Sequence, residues 1–112
     1  MRLVILESPY AGDVQLNVRY ARACVRDCLF RGEAPIASHL LYTQDGILDD
    51  RVPFERTLGI EAGLAWHLAP DVTTVVYGDL GISNGMVGGI ARALVHDNPV
   101  EYRYLGDDWV SG

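Results

Sequence analysis

The feature that most constrains this chain is an alternation of two apolar patterns. Residues 3–6, 35–38, 72–77 and 100–104 are short apolar or alternating runs of the kind that form strands. The third run is dense in β-branched residues. Helical spacing fills the gaps between them. Val14, Val18, Ala21, Val25 and Cys28 recur on one helical face, with Asp13 as its cap and Gly32 as its stop. Pro53 suits the start of a second helix reaching about His67, with Phe54, Leu58, Ala62 and Ala65 turned inward and Pro70 beyond its end. Ser83 or Asn84 caps a third, carrying Met86, Val87, Ile90, Ala91 and Leu94 inward. Residues 40–52 have no period and read as a loop.

Strand, helix, strand, helix, strand, helix, strand implies right-handed crossovers and an open, parallel α/β sheet with helices on both faces. The expected strand order is 2-1-3-4, which puts the topological switch between the first and third strands. A chain of 112 residues without a linker or repeat reads as one domain, 1–112.

Composition excludes several function classes. Nine basic against fifteen acidic side chains give a net charge of −6, which argues against a nucleic-acid polymer as partner. No apolar run approaches the ~18 residues of a membrane span, so no membrane partner is expected. The apolar stretch after Arg2 ends at Glu7, too soon for a signal-peptide core, and a soluble cytoplasmic protein is the expectation. Cys24 and Cys28, four apart on a helix, suit neighbouring buried thiols rather than a disulfide. His39, His67 and His96 are too scattered for zinc spacing, so neither a metal nor a cofactor is expected. The twelve glycines exceed the ~7% norm and raise the question of close backbone approach to a ligand.

In open α/β sheets, ligands bind beyond the carboxyl ends of the strands at the switch. Three segments fall there by topology: 7–12, 38–42 and 77–86. Glu7 and Asp79, expected to face each other across the crevice, are the candidate catalytic carboxylates. Ser38 and His39 close the second strand, where His39 can donate to a phosphate or a base edge. Tyr10 and Tyr42 sit in turns and can stack on a base, with Ser8, Pro9 and Gly12 beside Tyr10. Asn17, near the start of the first helix, can reach the cleft. Gly81, Ser83, Asn84, Gly85 and Met86 lead into a helix N-terminus that suits a phosphate or carboxylate, although a glycine-rich turn and cap explains the same residues.

The first strand running into Glu7-Ser8-Pro9-Tyr10, Asn17, Tyr77-Gly78-Asp79 and the stretch from Gly85 to Ala91 resemble the nucleoside 2-deoxyribosyltransferase-like family. The closest likeness is to its small, phage-type members. The resemblance implies a flavodoxin-like fold, a nucleoside or nucleotide-like ligand and a homodimer or larger assembly. In such an assembly a tail like Asp107-Asp108-Trp109 helps complete a neighbour's site. It also implies that the glutamate nucleophile of the transferases aligns with Val87, an apolar residue that forms no glycosyl intermediate. Two functions follow as expectations. One is an N-glycosidase or deoxyribosyltransferase using Glu7 or Asp79. The other is a non-catalytic protein that senses or sequesters a nucleotide metabolite, as in phage counter-defence.

Overall fold

A computed structural model describes residues 1–107 and 109. Its elements are β1 (Arg2–Glu7), α1 (Val14–Phe30), β2 (Glu33–Ile36), α2 (Ser38–Leu41), α3 (Pro53–Ala65), a single 3-10 turn (Trp66–Leu68), β3 (Thr73–Tyr77), α4 (Asn84–Val95) and β4 (Val100–Arg103). All three strand pairings are parallel and the order is β2-β1-β3-β4, as the alternation of patterns requires. The fold is a flavodoxin-like open α/β sheet. Among the described residues, no helix is long and apolar enough to cross a membrane.

Strand alternation divides the core. Val4 and Leu6 of β1 and Val75 and Tyr77 of β3 join Tyr20, Cys24 and Cys28 of α1 in one buried cluster. Glu7, of opposite parity, turns to the other face and meets α4 at Gly89. Both cysteines are free and buried, and burial pushes both thiols up. The buried stripe of α1 is Asn17, Tyr20, Ala21, Cys24 and Cys28. It is rotated from the expected one: Val14 is exposed, because Tyr20 and Asn17 find hydrogen-bond partners inside and take its place.

Two helices differ more. No residue of α3 is buried, and Phe54 (76% exposed) and Leu58 point away from the protein. This helix rests on the 38–48 segment rather than on the sheet. A β-carbon on Gly59 would touch Leu48, and one on Gly63 would collide with the Ser38 hydroxyl. In α4 the buried residues are Met86, Gly89 and Ala93, whereas Val87 and Leu94 are exposed. A glycine faces inward at position 89 because the Glu7 carboxyl occupies the space there.

The second strand begins at Glu33, two residues before expectation, and stops before Ser38, which opens α2. Pro35 is tolerated because β2 is an edge strand. Glu33 is anchored by charge: Arg103 forks onto its two carboxylate oxygens, both contacts 2.7 Å, and Arg2 adds a further ion pair. Glu101 joins both arginines. These contacts hold the Glu33 carboxyl down at about 2, with Arg103 the main cause. Removing Arg103 leaves the buried Glu33 with only the part-exposed Arg2 as a partner, so Arg103→Ala is expected to destabilise the protein by about 3–5 kcal/mol. Urea denaturation at pH 7 measures this. In the intact protein the Glu33 contribution is present above the usual carboxylate pKa and disappears as pH falls toward about 2.

Candidate functional site

At the carboxyl end of β1, beside the segment that follows β2 and the start of α4, the chain opens into a cavity of about 520 Å³, a size that suits a small organic ligand. One wall is the end of β1 with the start of α4, and the other is α2 with α3. The sheet order produces this opening, since the connections leave β1 and β3 in opposite directions.

Glu7 lies at the centre of the first wall. It ends β1, lines the cavity, and makes no hydrogen bond to a described residue. Burial alone pushes its carboxyl up to about 8, so it carries its proton at neutral pH. Gly89 makes this placement possible, because any β-carbon there would collide with the carboxyl group. Beside Glu7, the buried Ser8 hydroxyl lies 2.6 Å from Nε2 of His39. Burial lowers His39 to about 4, leaving a neutral imidazole at pH 7.

The start of α4 forms the far end of the first wall. Ser83 Oγ accepts from the Met86 N–H at 3.3 Å, and the Ser83 carbonyl accepts from Val87 at 3.0 Å. The N–H groups of Asn84 and Gly85 precede the helical ladder and border the cavity. Arg56 of α3 brings a fixed positive charge to the opposite wall, and Asp50 and Glu55 line it as well. The Glu55 carboxylate is engaged, accepting from the Asp49 N–H at 3.1 Å.

Most of the residues singled out from sequence meet here: Glu7, Ser8, Tyr10 and Gly12 from the first segment, Ser38, His39 and Tyr42 from the second, and Ser83, Asn84, Gly85 and Met86 from the third. Four do not line the cavity: Pro9, Asn17, Asp79 and Gly81. Pro9 is buried. Asn17 donates to the carbonyls of Tyr10 (2.8 Å) and Ala11 (3.0 Å), so it shapes the loop instead of reaching the cleft. Gly81, with φ +88°, serves the turn after β3.

Asp79 is the main correction. Its carboxylate accepts from the Tyr20 hydroxyl (2.5 Å) and from the N–H groups of Leu105 and Gly106 (2.9–3.0 Å). Those contacts outweigh its burial and hold its pKa low. It clamps the chain that follows β4 and does not face Glu7. Trp109 packs edge-on against Tyr20, at 4.8 Å between ring centres, and so sits on its own core. Asp108 lies outside the described residues.

Sequence reading missed the wall built by Leu48, Asp50, Arg56, Gly59 and Gly63. The signal was there in Gly59 and Gly63, two glycines four apart on one face of the helix that starts at Pro53. Gly89 was also missed as a site residue, although the glycine pair before Ile90 is plain in the sequence.

The fold and cavity define a flavodoxin-like α/β domain with an open cavity at the carboxyl end of β1. Residues 2–103 match the family described as Domain of unknown function (DUF7768), and the chain belongs to that family. No curated protein and no solved structure matches it.

The Glu7–Gly89 contact makes two predictions. Gly89→Ala should destabilise the protein by about 1–3 kcal/mol through overpacking, and adding Glu7→Ala should restore most of the loss. A double-mutant cycle in urea measures both. The second concerns pH. The folded state keeps a proton on Glu7 that the unfolded state releases above about 4.5, so stability falls from there up to about 8. His39 acts in the opposite sense, with its contribution present above about 6.5 and lost as pH falls toward about 4. Between 4.5 and 6.5 the two slopes oppose each other. Above 6.5 only the Glu7 slope remains, about 1.4 kcal/mol per pH unit, and Glu7→Gln should abolish it in melts recorded from pH 6.5 to 8.

Proposed function

We propose that the protein binds a nucleoside- or nucleotide-like small molecule in this cavity and that Glu7 acts on its N-glycosidic bond. The observation that carries this reading is the Glu7 carboxyl, which lines the cavity against Gly89 with no hydrogen-bond partner among the described residues and is pushed by burial up to about 8. A carboxyl group in that state serves as a general acid for a leaving base. The amides of Asn84 and Gly85, with Arg56 opposite, suit a phosphate on the sugar. Tyr10 and Tyr42 offer faces for a base. The likeness to the nucleoside 2-deoxyribosyltransferase-like family supports the same ligand class.

Binding without chemistry is the second reading, and Val87 favours it. The position that aligns with the transferase nucleophile is apolar, 54% exposed, and does not line the cavity. In that case the protein senses or sequesters its ligand.

The test is incubation with a panel of deoxynucleosides, nucleoside monophosphates and NAD-like compounds, followed by chromatography. Free base in the wild type that drops at least 100-fold in Glu7→Gln supports the enzyme. Tight binding with the ligand recovered intact supports sequestration. No binding to any member of the panel counts against both readings.

We also propose that a second copy of the chain covers the outward faces of α3 and α4, where Phe54, Leu58, Val87 and Leu94 are exposed. Analytical ultracentrifugation should show a dimer that Leu94→Glu converts to monomer. A monomeric wild type across the micromolar range contradicts this.

A further inference from the structure

The hydrogen bond between Ser8 and His39 has no part in the work assigned to Glu7. Ser8 is 4% exposed, and its hydroxyl makes no other hydrogen bond to a described residue. A buried serine with a purely structural role normally ties down backbone, as Asn17 does nearby. Ser8 instead engages the imidazole of the cavity, whose ring nitrogen can accept a hydrogen bond or a proton. Both residues line the cavity beside Glu7.

We propose that Ser8 and His39 form a proton relay that activates a water molecule for attack on the sugar carbon, opposite in role to Glu7. The inference rests on the N-glycoside reading. In the step, the water oxygen bonds to the anomeric carbon as the carbon–nitrogen bond breaks. The water proton passes to Ser8 Oγ, and the Ser8 proton passes to Nε2 of His39. Glu7 gives its proton to the departing base nitrogen. The products are free sugar and free base, and no oxidant or further co-reactant is needed. Proton return from His39 to Glu7 through solvent resets the site.

Water attack driven from this side explains how the apolar Val87 is compatible with catalysis. No glycosyl-enzyme forms, so no nucleophile is required on α4. His39 meets the requirement for a base, since it is neutral at pH 7. The other ionisable and charged groups around the same cavity are Glu7 at the end of β1, Tyr10 after it, Tyr42 after α2, Asp50 before α3, and Glu55 and Arg56 on α3. Burial, and none of these charges, sets the direction of the His39 shift.

The relay needs the Nε2 lone pair free, with the imidazole proton on Nδ1. Long-range proton–nitrogen NMR on the wild type reads the tautomer without any substrate. The expected spectrum shows an unprotonated Nε2 that responds to Ser8→Ala, and a protonated Nε2 at pH 7 overturns the relay. Kinetics on the most active panel nucleoside provide the second arm. Ser8→Ala, His39→Asn and the double variant should each lose roughly 100-fold or more in kcat, with KM little changed and the double no worse than either single. The first sugar product seen by NMR should have inverted configuration. Additive losses, or retained configuration, overturn the proposal. If the wild type releases no base, the N-glycoside reading fails by that result alone, while the tautomer still decides whether His39 can serve as a base.

Discussion

The forked ion pair between Arg103 and Glu33 is the interaction on which the rest of the architecture depends. It joins β4 to β2, the two outermost strands, across the two central ones. Arg2 and Glu101 extend it, so charge is matched among four side chains rather than within one pair. A small sheet has little apolar area with which to hold its edges, and buried pairing of this kind fixes their placement. With the edges held, β1 and β3 lie at the centre and their carboxyl ends meet in the crevice. Asp79 then closes that end of the sheet by holding Leu105 and Gly106 against Tyr20.

The site works against the stability that this frame provides. A carboxyl group confined beside Gly89 without a hydrogen-bond partner is unfavourable in its charged form, and the protein tolerates it by retaining a proton. On the facing wall, the buried imidazole of His39 is unfavourable when charged, for the same reason. One desolvated environment therefore raises the acid and lowers the base.

Much of the fold was legible in the sequence, because parallel strands and amphipathic helices leave different periods. The order of elements, the strand order and the caps at Asp13 and Ser83 follow from local chemistry. The inward faces of α3 and α4 did not follow. The rule that larger apolar residues turn inward fails where a carboxyl group claims the interior, as at Gly89, and where a helix rests on a loop through glycine, as at Gly59. The candidate site was legible to the extent that topology dictates it, which covers the strand ends and the start of α4. Asp79 misled because a Gly-Asp at a strand end looks the same whether its carboxylate faces a ligand or caps distant amides. The wall from α3 needed knowledge of which helix lies off the sheet, and that is a property of tertiary packing.

The way α3 is seated gives the cavity two walls of unequal stiffness. The β1–α4 side is continuous with the buried core through Met86 and Ala93. The α3 side contributes no buried residue and is held by glycine contacts to the 38–48 segment. Such a helix can move outward without opening the core. The Glu7 side of the cavity is thereby tied to the core, while the width of the opening is set by a helix that the core does not hold.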